Sequence, residues 1–236
     1  MKYQDIVEEL RSEWYYFIIQ NKKQNWNWYY ISRNDDLPWN IVKNNSDLPW
    51  DWKYLSKSKN ITWDNINNNT CFNWCWNSIS ENPNLSDEIV ENNLNKKWNW
   101  SNIAKNDSIS WDFILKHIDL PWFWHSLSSK PGITIDIVKS NIHKPWMWNK
   151  LTSIFPMSVI KKNMNLPWDY DVISSKPDLP LTFIKKNIRR NWDWTYLSMN
   201  PIINDEFVKK NRDLPWCWYG LSYNKSISWN FIRKYY

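Results

Sequence analysis

Residues 47–66 read DLPWDWKYLSKSKNITWDNI and contain both parts of a unit that recurs along the chain of 236 residues. The first part has the pattern Trp-x-Trp-x-x-aliphatic-Ser. Successive copies are 24 residues apart, except for one step of 22. Because nine copies keep this register, we interpret the sequence as an internal repeat. The copies begin at Trp26, Trp50, Trp74, Trp98, Trp122, Trp146, Trp168, Trp192 and Trp216.

The second part of the repeat predicts the start of a helix. In residues 109–114 (ISWDFI), Ser110 is placed to cap the helix and Asp112 lies in its first turn. Thr134, with Asp136 after it, and Ser228 occupy the same cap position in their repeats. We expect the helix to end at an asparagine that adopts the left-handed conformation in place of glycine. These asparagines are Asn45, Asn69, Asn93, Asn141, Asn163, Asn187 and Asn211.

The Trp-x-Trp part also indicates a helix start, because proline precedes the first tryptophan in several copies and suits a helix's first turn. The alternative is a β-repeat, since Trp-x-Trp alternates and Trp, Tyr and Ile favour strands. The helical spacing of the second part and the presence of only 2 glycines favour helices. The sequence therefore predicts an all-α protein, an α-solenoid of nine two-helix repeats of about 24 residues. The array spans 25–236 as a single domain.

Residues 1–24 are predicted to form an N-terminal capping helix. We expect the apolar side chains of this segment to cover the first repeat and its glutamates to face water. The apolar set is Ile6, Leu10, Phe17 and Ile18, and the acidic set is Glu8, Glu9 and Glu13.

The tryptophans of the Trp-x-Trp part are predicted to be core residues. Helices this short are marginal alone, so their stability must come from packing between neighbouring repeats. The alternative is an exposed aromatic ladder that stacks bases or binds proline-rich ligands. Asp87 and Asp205 occupy the slot of a second set of tryptophans, which we therefore expect to be partly exposed. That set is Trp39, Trp63, Trp111 and Trp229.

The sequence segments 47–56 and 59–66 resemble the tryptophan-rich "PWDW…LS.NP.IT" repeat proteins that giant, Mimiviridae-like viruses of amoebae encode in multiple copies. The resemblance covers residues 26–236. It implies a viral repeat protein located in the cytoplasm of the infected cell or in the virion, and it carries over no catalytic or binding residues. The chain departs from the pattern at 71–73 and 95–97, where Cys-Phe-Asn and Asn-Lys-Lys replace Asp-Leu-Pro.

Composition argues against several other classes of protein. A mean hydropathy of −0.72 predicts no membrane-spanning helix, and the polar first ten residues do not resemble a secretion signal. No phosphate-binding glycine loop occurs. Cys71 and Cys75 match no standard zinc ligand set. His117, His125 and His143 are each explained as a drifted repeat position, so we predict no enzyme, metal or cofactor.

Positive charge is concentrated in the second half of the chain. Residues 1–118 carry 13 Lys/Arg and 15 Asp/Glu, whereas residues 119–236 carry 17 and 9. Repeat stacking would align the basic pairs as a ladder. Either they are solvated helix ends that complement the helix dipole, or they bind phosphates or an acidic partner. The ladder comprises Lys161, Lys162, Lys185, Lys186, Arg189, Arg190, Lys209, Lys210, Arg212, Arg233 and Lys234.

A second candidate surface is formed by the variable residues that follow Trp-x-Trp. Variation there lets a repeat protein change partners without changing its core, so we predict a scaffold for protein–protein interaction. A nucleic-acid-binding solenoid that uses the ladder is the alternative, and a structural or assembly role with self-association through 216–236 is a third. The variable residues are Tyr29, Tyr30, Lys53, Tyr54, His125, Ser126, Asn149, Lys150, Thr195, Tyr196, Tyr219 and Gly220.

Overall fold

The computed structural model describes residues 13–235, and every regular element within them is a helix. No strand occurs in this range, so the all-α class is confirmed and the β-repeat interpretation is wrong for it. The residues cluster into two compact units, which divide between Gly132 and Ile133. The helix α1 covers 13–20, and the helices that follow have only four to seven residues each.

Two kinds of helix alternate along the first unit. First helices come from the Trp-x-Trp part and second helices from the capped part of the repeat. Consecutive first helices pack against each other, as α2 does on α4 and α8 on α10. The first helices are α2 Trp28–Ser32, α4 Trp52–Leu55, α6 Trp76–Ile79, α8 Trp100–Lys105 and α10 Trp124–Leu127. The second helices are α3 Trp39–Asn44, α5 Trp63–Asn67, α7 Asp87–Glu91 and α9 Trp111–Lys116.

The second unit has the same alternation, with contacts from α12 to α14, α14 to α16 and α16 to α18. Its first helices are α12 Trp148–Ile154, α14 Tyr170–Ser175, α16 Trp194–Met199 and α18 Trp218–Tyr223. Its second helices are α11 Ile135–Ser140, α13 Met157–Lys162, α15 Leu181–Lys186, α17 Asp205–Lys210 and α19 Trp229–Tyr235. The step of 22 residues leaves only Phe155 and Pro156 between α12 and α13.

The first helices begin later than the prolines suggest. The helix α4 starts at Trp52, and Asp51 is its N-cap, with a carboxylate oxygen that accepts from the Tyr54 amide. Pro49 therefore lies outside the helix, and the prediction that proline occupies the first turn is wrong. The residue between the two tryptophans caps the helix instead, because its oxygen side chain satisfies a free amide there. Asn27, Asn99, Asp169 and Asp193 cap their helices in the same way.

The second helices begin as the sequence predicts. The hydroxyls of Ser110 and Thr134 accept from the amides three residues on, and Asp112 and Asp136 lie in the first turns. The Ser228 hydroxyl accepts from the Phe231 amide at 3.1 Å. These local caps are confirmed, and they explain how helices of five to seven residues begin at fixed positions.

The asparagines at the helix ends are not left-handed. Asn187, for example, has a φ of −120°. Within residues 13–235 only Gly132 has a positive φ. The asparagine side-chain amide instead donates to the carbonyl four residues earlier, as Asn187 Nδ2 does to Phe183 at 2.9 Å. The Phe183 carbonyl also accepts from the Asn187 backbone amide, so two bonds close the end of this helix and no left-handed residue is needed. His117 takes the C-cap place in α9.

The first tryptophan of each repeat bonds to the residue at the end of the preceding helix, which is asparagine in eight copies and His117 in the ninth. In all nine copies the indole Nε1 donates to the backbone carbonyl of the residue five positions earlier, at 2.7–3.0 Å. Seven of these tryptophans are buried, and Trp26 and Trp74 are half-buried. The core prediction is thus confirmed for the first tryptophan, whose polar atom is satisfied where it is buried.

The second aromatic of each repeat packs edge-on against the first tryptophan of the next repeat. Seven such pairs lie within the two units, with ring centroids 5.0–5.4 Å apart. Most of these second aromatics are half-buried rather than buried. Among the other tryptophans, Trp39, Trp63 and Trp111 are half-buried, and Trp229 is 66% exposed, which confirms the expected partial exposure.

Within each unit, a buried hydroxyl joins most repeats to the next one. The Ser80 Oγ donates to the Trp76 carbonyl at 2.8 Å and accepts from the Asn99 amide of the following repeat at 2.9 Å. We call this pair of bonds the serine joint. Ala104 occupies the slot in one repeat and cannot make it. Equivalent bonds to the next repeat's amide are made by Ser32, Ser56, Thr152, Ser174 and Ser198.

A second connection uses buried asparagines after the first helices. The Asn106 amide donates to the carbonyls of Ser80 and Asn82 in the preceding repeat, at 3.1 and 2.9 Å. Asn82, Asn200 and Asn224 bridge to their preceding repeats in the same way. Two lysines take this slot elsewhere. Lys130 Nζ donates to the Asn106 carbonyl at 2.7 Å, and Lys176 Nζ donates to the Ser153 carbonyl at 3.1 Å.

The helix α1 covers the first repeat with a residue set that matches the predicted one at Ile18, which is buried as expected. Tyr15 and Ile18 are buried and belong to the core cluster that includes Ile31. Phe17 is 55% exposed, so its predicted burial is wrong, although its ring packs edge-on against Trp26 with the two centroids 6.3 Å apart. Glu13 is exposed as predicted. Four further members of the predicted sets lie outside the described residues, namely Ile6, Glu8, Glu9 and Leu10.

Candidate functional site

Tyrosines project from the first helices of the first unit. Tyr29 and Tyr30 are 50% and 69% exposed. The Arg33 guanidinium carbon lies 4.8 Å from the ring centroids of both Tyr29 and Tyr54, which belong to successive repeats. Lys53 and His125 are also exposed, and Tyr54 is half-buried. The predicted residues of α2 and α4 therefore form one continuous surface with Arg33.

The second unit carries a similar group on α16 and α18. Tyr196 is 53% exposed and Tyr219 is 66% exposed. Thr195, Asn149 and Lys150 are exposed as well. The variable-position prediction missed Tyr223, which is 62% exposed and whose ring centroid lies 4.9 Å from that of Tyr219. Its sequence signal is the spacing of four residues, which places both tyrosines on one side of α18.

Not every variable residue faces solvent. Gly220 is buried, and a Cβ added to it would lie 2.8 Å from the Thr195 carbonyl oxygen and 2.9 Å from the Ser198 Cβ. Ser126 is half-buried, and its hydroxyl lies 3.3 Å from that of Ser101. These two positions therefore contact the preceding repeat. In the pairs 53/54, 125/126 and 219/220 the first residue is the more exposed one, whereas both residues are exposed in 29/30, 149/150 and 195/196.

The predicted basic ladder is exposed along its whole length in the second unit. Its lysines lie in the last turns of α13, α15, α17 and α19. Six members already have partners. Lys185 Nζ lies 6.0 Å from the Phe207 ring centroid, Lys234 Nζ lies 5.6 Å from that of Tyr235, and Arg233 donates to the Asn230 Oδ1 at 3.2 Å. Lys210 bonds to Glu206 at 2.6 Å and lowers the pKa of that carboxyl, while Arg212 and Arg190 lie over Tyr235 and Tyr170 at 4.3 and 5.9 Å. The exposed members are Lys161, Lys162, Lys185, Lys186, Arg189, Arg190, Lys209, Lys210, Arg212, Arg233 and Lys234.

A groove of about 300 Å³ separates two of the basic helices. Lys161 of α13 and Lys186 of α15 line it, together with the Thr182 hydroxyl. In the first unit the equivalent groove between α5 and α7 is lined by Asp64 and Glu88. The same kind of cleft thus has basic lining residues in one unit and acidic lining residues in the other.

The two buried lysines are titratable groups in an unusual setting. Burial lowers the pKa of Lys130, and the charges of Asp107 and Asp87 oppose that shift only in part. Burial likewise lowers the pKa of Lys176 against the charge of Asp178. Both ammonium groups donate to backbone carbonyls in a slot that asparagine fills in other repeats. Their contacts are internal, which suits a structural role.

Side chains of metal-binding types do not converge in the part of the chain that is described. Cys71, Cys75 and Cys217 are free thiols. Among residues 13–235 no group of three or more His, Cys, Asp or Glu side chains is placed to bind a metal ion. His117 Nε2 lies 3.2 Å from the Glu91 carboxylate, which also bonds to Lys116. No helix in this range is both long and apolar enough to cross a membrane.

Comparisons with protein-family models, with curated proteins and with solved structures found no match to this chain. Functional interpretation therefore depends on the residues themselves.

Proposed function

We propose that the chain is a non-enzymatic α-solenoid of nine two-helix repeats that acts as a scaffold for protein–protein interaction. The observation that carries this proposal is the exposure of tyrosines at equivalent first-helix positions in both units. Tyr29 and Tyr30 in one unit, and Tyr196 and Tyr219 in the other, are each at least half exposed. Tyrosine and arginine are enriched among the residues that dominate binding energy at protein interfaces.

The construction of the repeat supports this role. The serine joint and the hydrogen bond from the first tryptophan's indole lie inside the repeat array. The outward-facing residues take little part in these bonds. Substitution of an outward residue should change what the surface binds while leaving the helices in place. Repeat proteins present extended binding surfaces in this way, because each repeat contacts only its neighbours.

The proposal is tested by selecting peptides from a display library on the intact protein. We expect selected peptides to lose binding by about tenfold or more when Tyr196 and Tyr219 are both changed to Ser, because each interfacial tyrosine contributes on the order of 1–2 kcal/mol. The matched control changes Lys161 and Lys162 to Ser in the same unit. Equal loss in both double variants, or no loss in the tyrosine variant, would contradict the assignment.

Nucleic-acid binding is the second candidate function, and the basic groove between α13 and α15 favours it. Phosphate contacts release counterions, so affinity should fall steeply as salt rises from about 50 mM to about 300 mM. Charge reversal of Lys185, Lys186, Lys209 and Lys210 to Glu should weaken binding of a labelled oligonucleotide and flatten its salt dependence. Reversal of Lys53 and Lys57 in the first unit is the control. Unchanged binding in the fourfold variant at low salt would exclude the ladder.

A further inference from the structure

An aromatic pocket opens in the first unit beside α5. It has a volume of about 220 Å³, and its walls include Trp63, Phe72, Trp74 and Trp76. The rings of Trp63 and Trp76 meet edge-on with centroids 6.4 Å apart, and those of Phe72 and Trp74 are 6.3 Å apart. Lys96 is the one cationic side chain that lines this pocket.

Both departures from the repeat pattern converge on this pocket. Phe72 and Lys96 occupy the slot two residues before the first tryptophan, where Leu48 and Leu166 are buried in other repeats. The Phe72 ring packs back onto Trp52 at 5.0 Å. A lysine chain is unbranched and keeps its ammonium near water, so Lys96 fills less apolar space than leucine. The space that leucine would occupy becomes an open site.

The size and charge of the pocket indicate the chemical class of ligand that it would bind. An apolar cavity of about 150 Å³ accepts benzene, so this volume suits one indole or phenol ring. The surrounding rings favour edge-to-face packing with such a group. The Lys96 side chain has no ion-pair or hydrogen-bond partner among residues 13–235. A carboxylate beside the bound ring would pair with it, whereas a cation would be repelled.

We propose that this pocket binds an aromatic side chain of an acidic peptide, with the ring between the tryptophans and a neighbouring carboxylate on Lys96. This inference rests on the proposed protein-binding function and places the contact at a site separate from the exposed tyrosines. A free aromatic acid has the same chemistry, and a nucleotide combines a ring with a phosphate. The test therefore includes both as competitors.

The test measures binding of three capped peptides to the intact protein by calorimetry. The sequences are Glu-Trp-Glu, Gln-Trp-Gln and Glu-Ala-Glu. We expect a Kd of about 0.1–1 mM for Glu-Trp-Glu, as one ring and one ion pair would give. Lys96→Gln should weaken that binding about threefold to fivefold at low salt and leave Gln-Trp-Gln unchanged. Lys97→Gln, at the exposed neighbouring lysine, is the control and should have little effect.

A second variant tests occupancy of the pocket. Thr70 is an exposed residue that lines it, so Thr70→Trp should fill the site and abolish Glu-Trp-Glu binding without removing a core ring. Equal binding of Glu-Trp-Glu and Glu-Ala-Glu would overturn the proposal, as would equal effects of Lys96→Gln and Lys97→Gln. Tighter binding of indole-3-propionate or AMP would reassign the site away from peptides. The scaffold proposal would survive failure of the pocket proposal if peptides selected from the display library still lost binding when Tyr196 and Tyr219 were changed.

Discussion

The serine joint gives the most specific stability prediction, because the chain contains its own exception. Ser80 and Ala104 occupy equivalent slots in consecutive repeats, and both are fully buried. Ser80→Ala removes the acceptor of the Asn99 amide, a bond of 2.9 Å between repeats. Ala104→Ser adds the missing hydroxyl in front of the Phe123 amide. The two substitutions should therefore have opposite effects.

The size of the effect follows from the bonds that change. The Trp76 carbonyl keeps its helical bond from the Ser80 amide, so Ser80→Ala leaves one donor, the Asn99 N–H, without its acceptor. A lost bond of this kind costs about 1–2 kcal/mol, which corresponds to amide exchange about 5-fold to 30-fold faster. Ala104→Ser should slow exchange of the Phe123 amide by about threefold to tenfold, since one net bond contributes about 1 kcal/mol.

Hydrogen exchange read amide by amide is the appropriate assay, because repeat arrays open locally and a single unfolding energy averages over them. Exposed Ser46 provides the control, and Ser46→Ala should leave both the Asn99 and Phe123 amides unchanged. Faster exchange at Asn99 in Ser80→Ala together with no change at Phe123 in Ala104→Ser would refute the joint as a general connection between repeats.

Three further outcomes are expected. Because burial lowers the pKa of Lys130 below the ordinary lysine value of 10.5, the unfolded chain binds this proton more tightly, and the free energy of unfolding should rise as the pH is raised toward 10.5. Lys130→Asn should reduce this slope, leaving the part that Lys176 contributes, and should raise the urea midpoint at neutral pH; an unchanged slope would contradict the prediction. Gly220→Ala should destabilise by about 1–3 kcal/mol despite alanine's better helix propensity, because the Cβ would meet the Thr195 carbonyl at 2.8 Å, and a stabilised variant would contradict this. Asn187→Gly should lower stability by about 1–2 kcal/mol, whereas a left-handed Asn187 would be stabilised by glycine.

The local features of the fold could be predicted from sequence because their causes are local. Ser110 caps α9 through an amide three residues away, and the side chain and its partner lie in the same short segment. The end of α15 was predicted at the right residue but for the wrong reason, while α5 and α7 end one residue earlier than predicted, with Asn68 and Asn92 as their C-caps. Asn187 bonds back to Phe183 and its carbonyl receives the Trp192 indole, and that arrangement involves a residue five positions on.

The features that depend on neighbouring repeats could not be predicted in the same way. Pro49 marks the start of the Trp-x-Trp part, but Asp51 sets the first residue of α4 because its carboxylate reaches the Tyr54 amide. The departures at Phe72 and Lys96 were visible as breaks in a pattern. Their convergence on one pocket depends on how consecutive repeats pack, which a pattern along the chain does not contain. Exposed Tyr223 was missed because it lies one turn beyond the variable pair.

Position-specific photo-crosslinking tests the central claim, that the exposed tyrosines rather than the lysines form the working surface. A benzophenone amino acid would replace Tyr219 in one protein and Lys186 in another, each expressed in the cells that make the chain. We expect Tyr219 to yield a protease-sensitive crosslink to one discrete protein and Lys186 to yield none or much less. A nuclease-sensitive crosslink at Lys186, with no protein crosslink at Tyr219, would contradict the account and assign the function to the basic ladder.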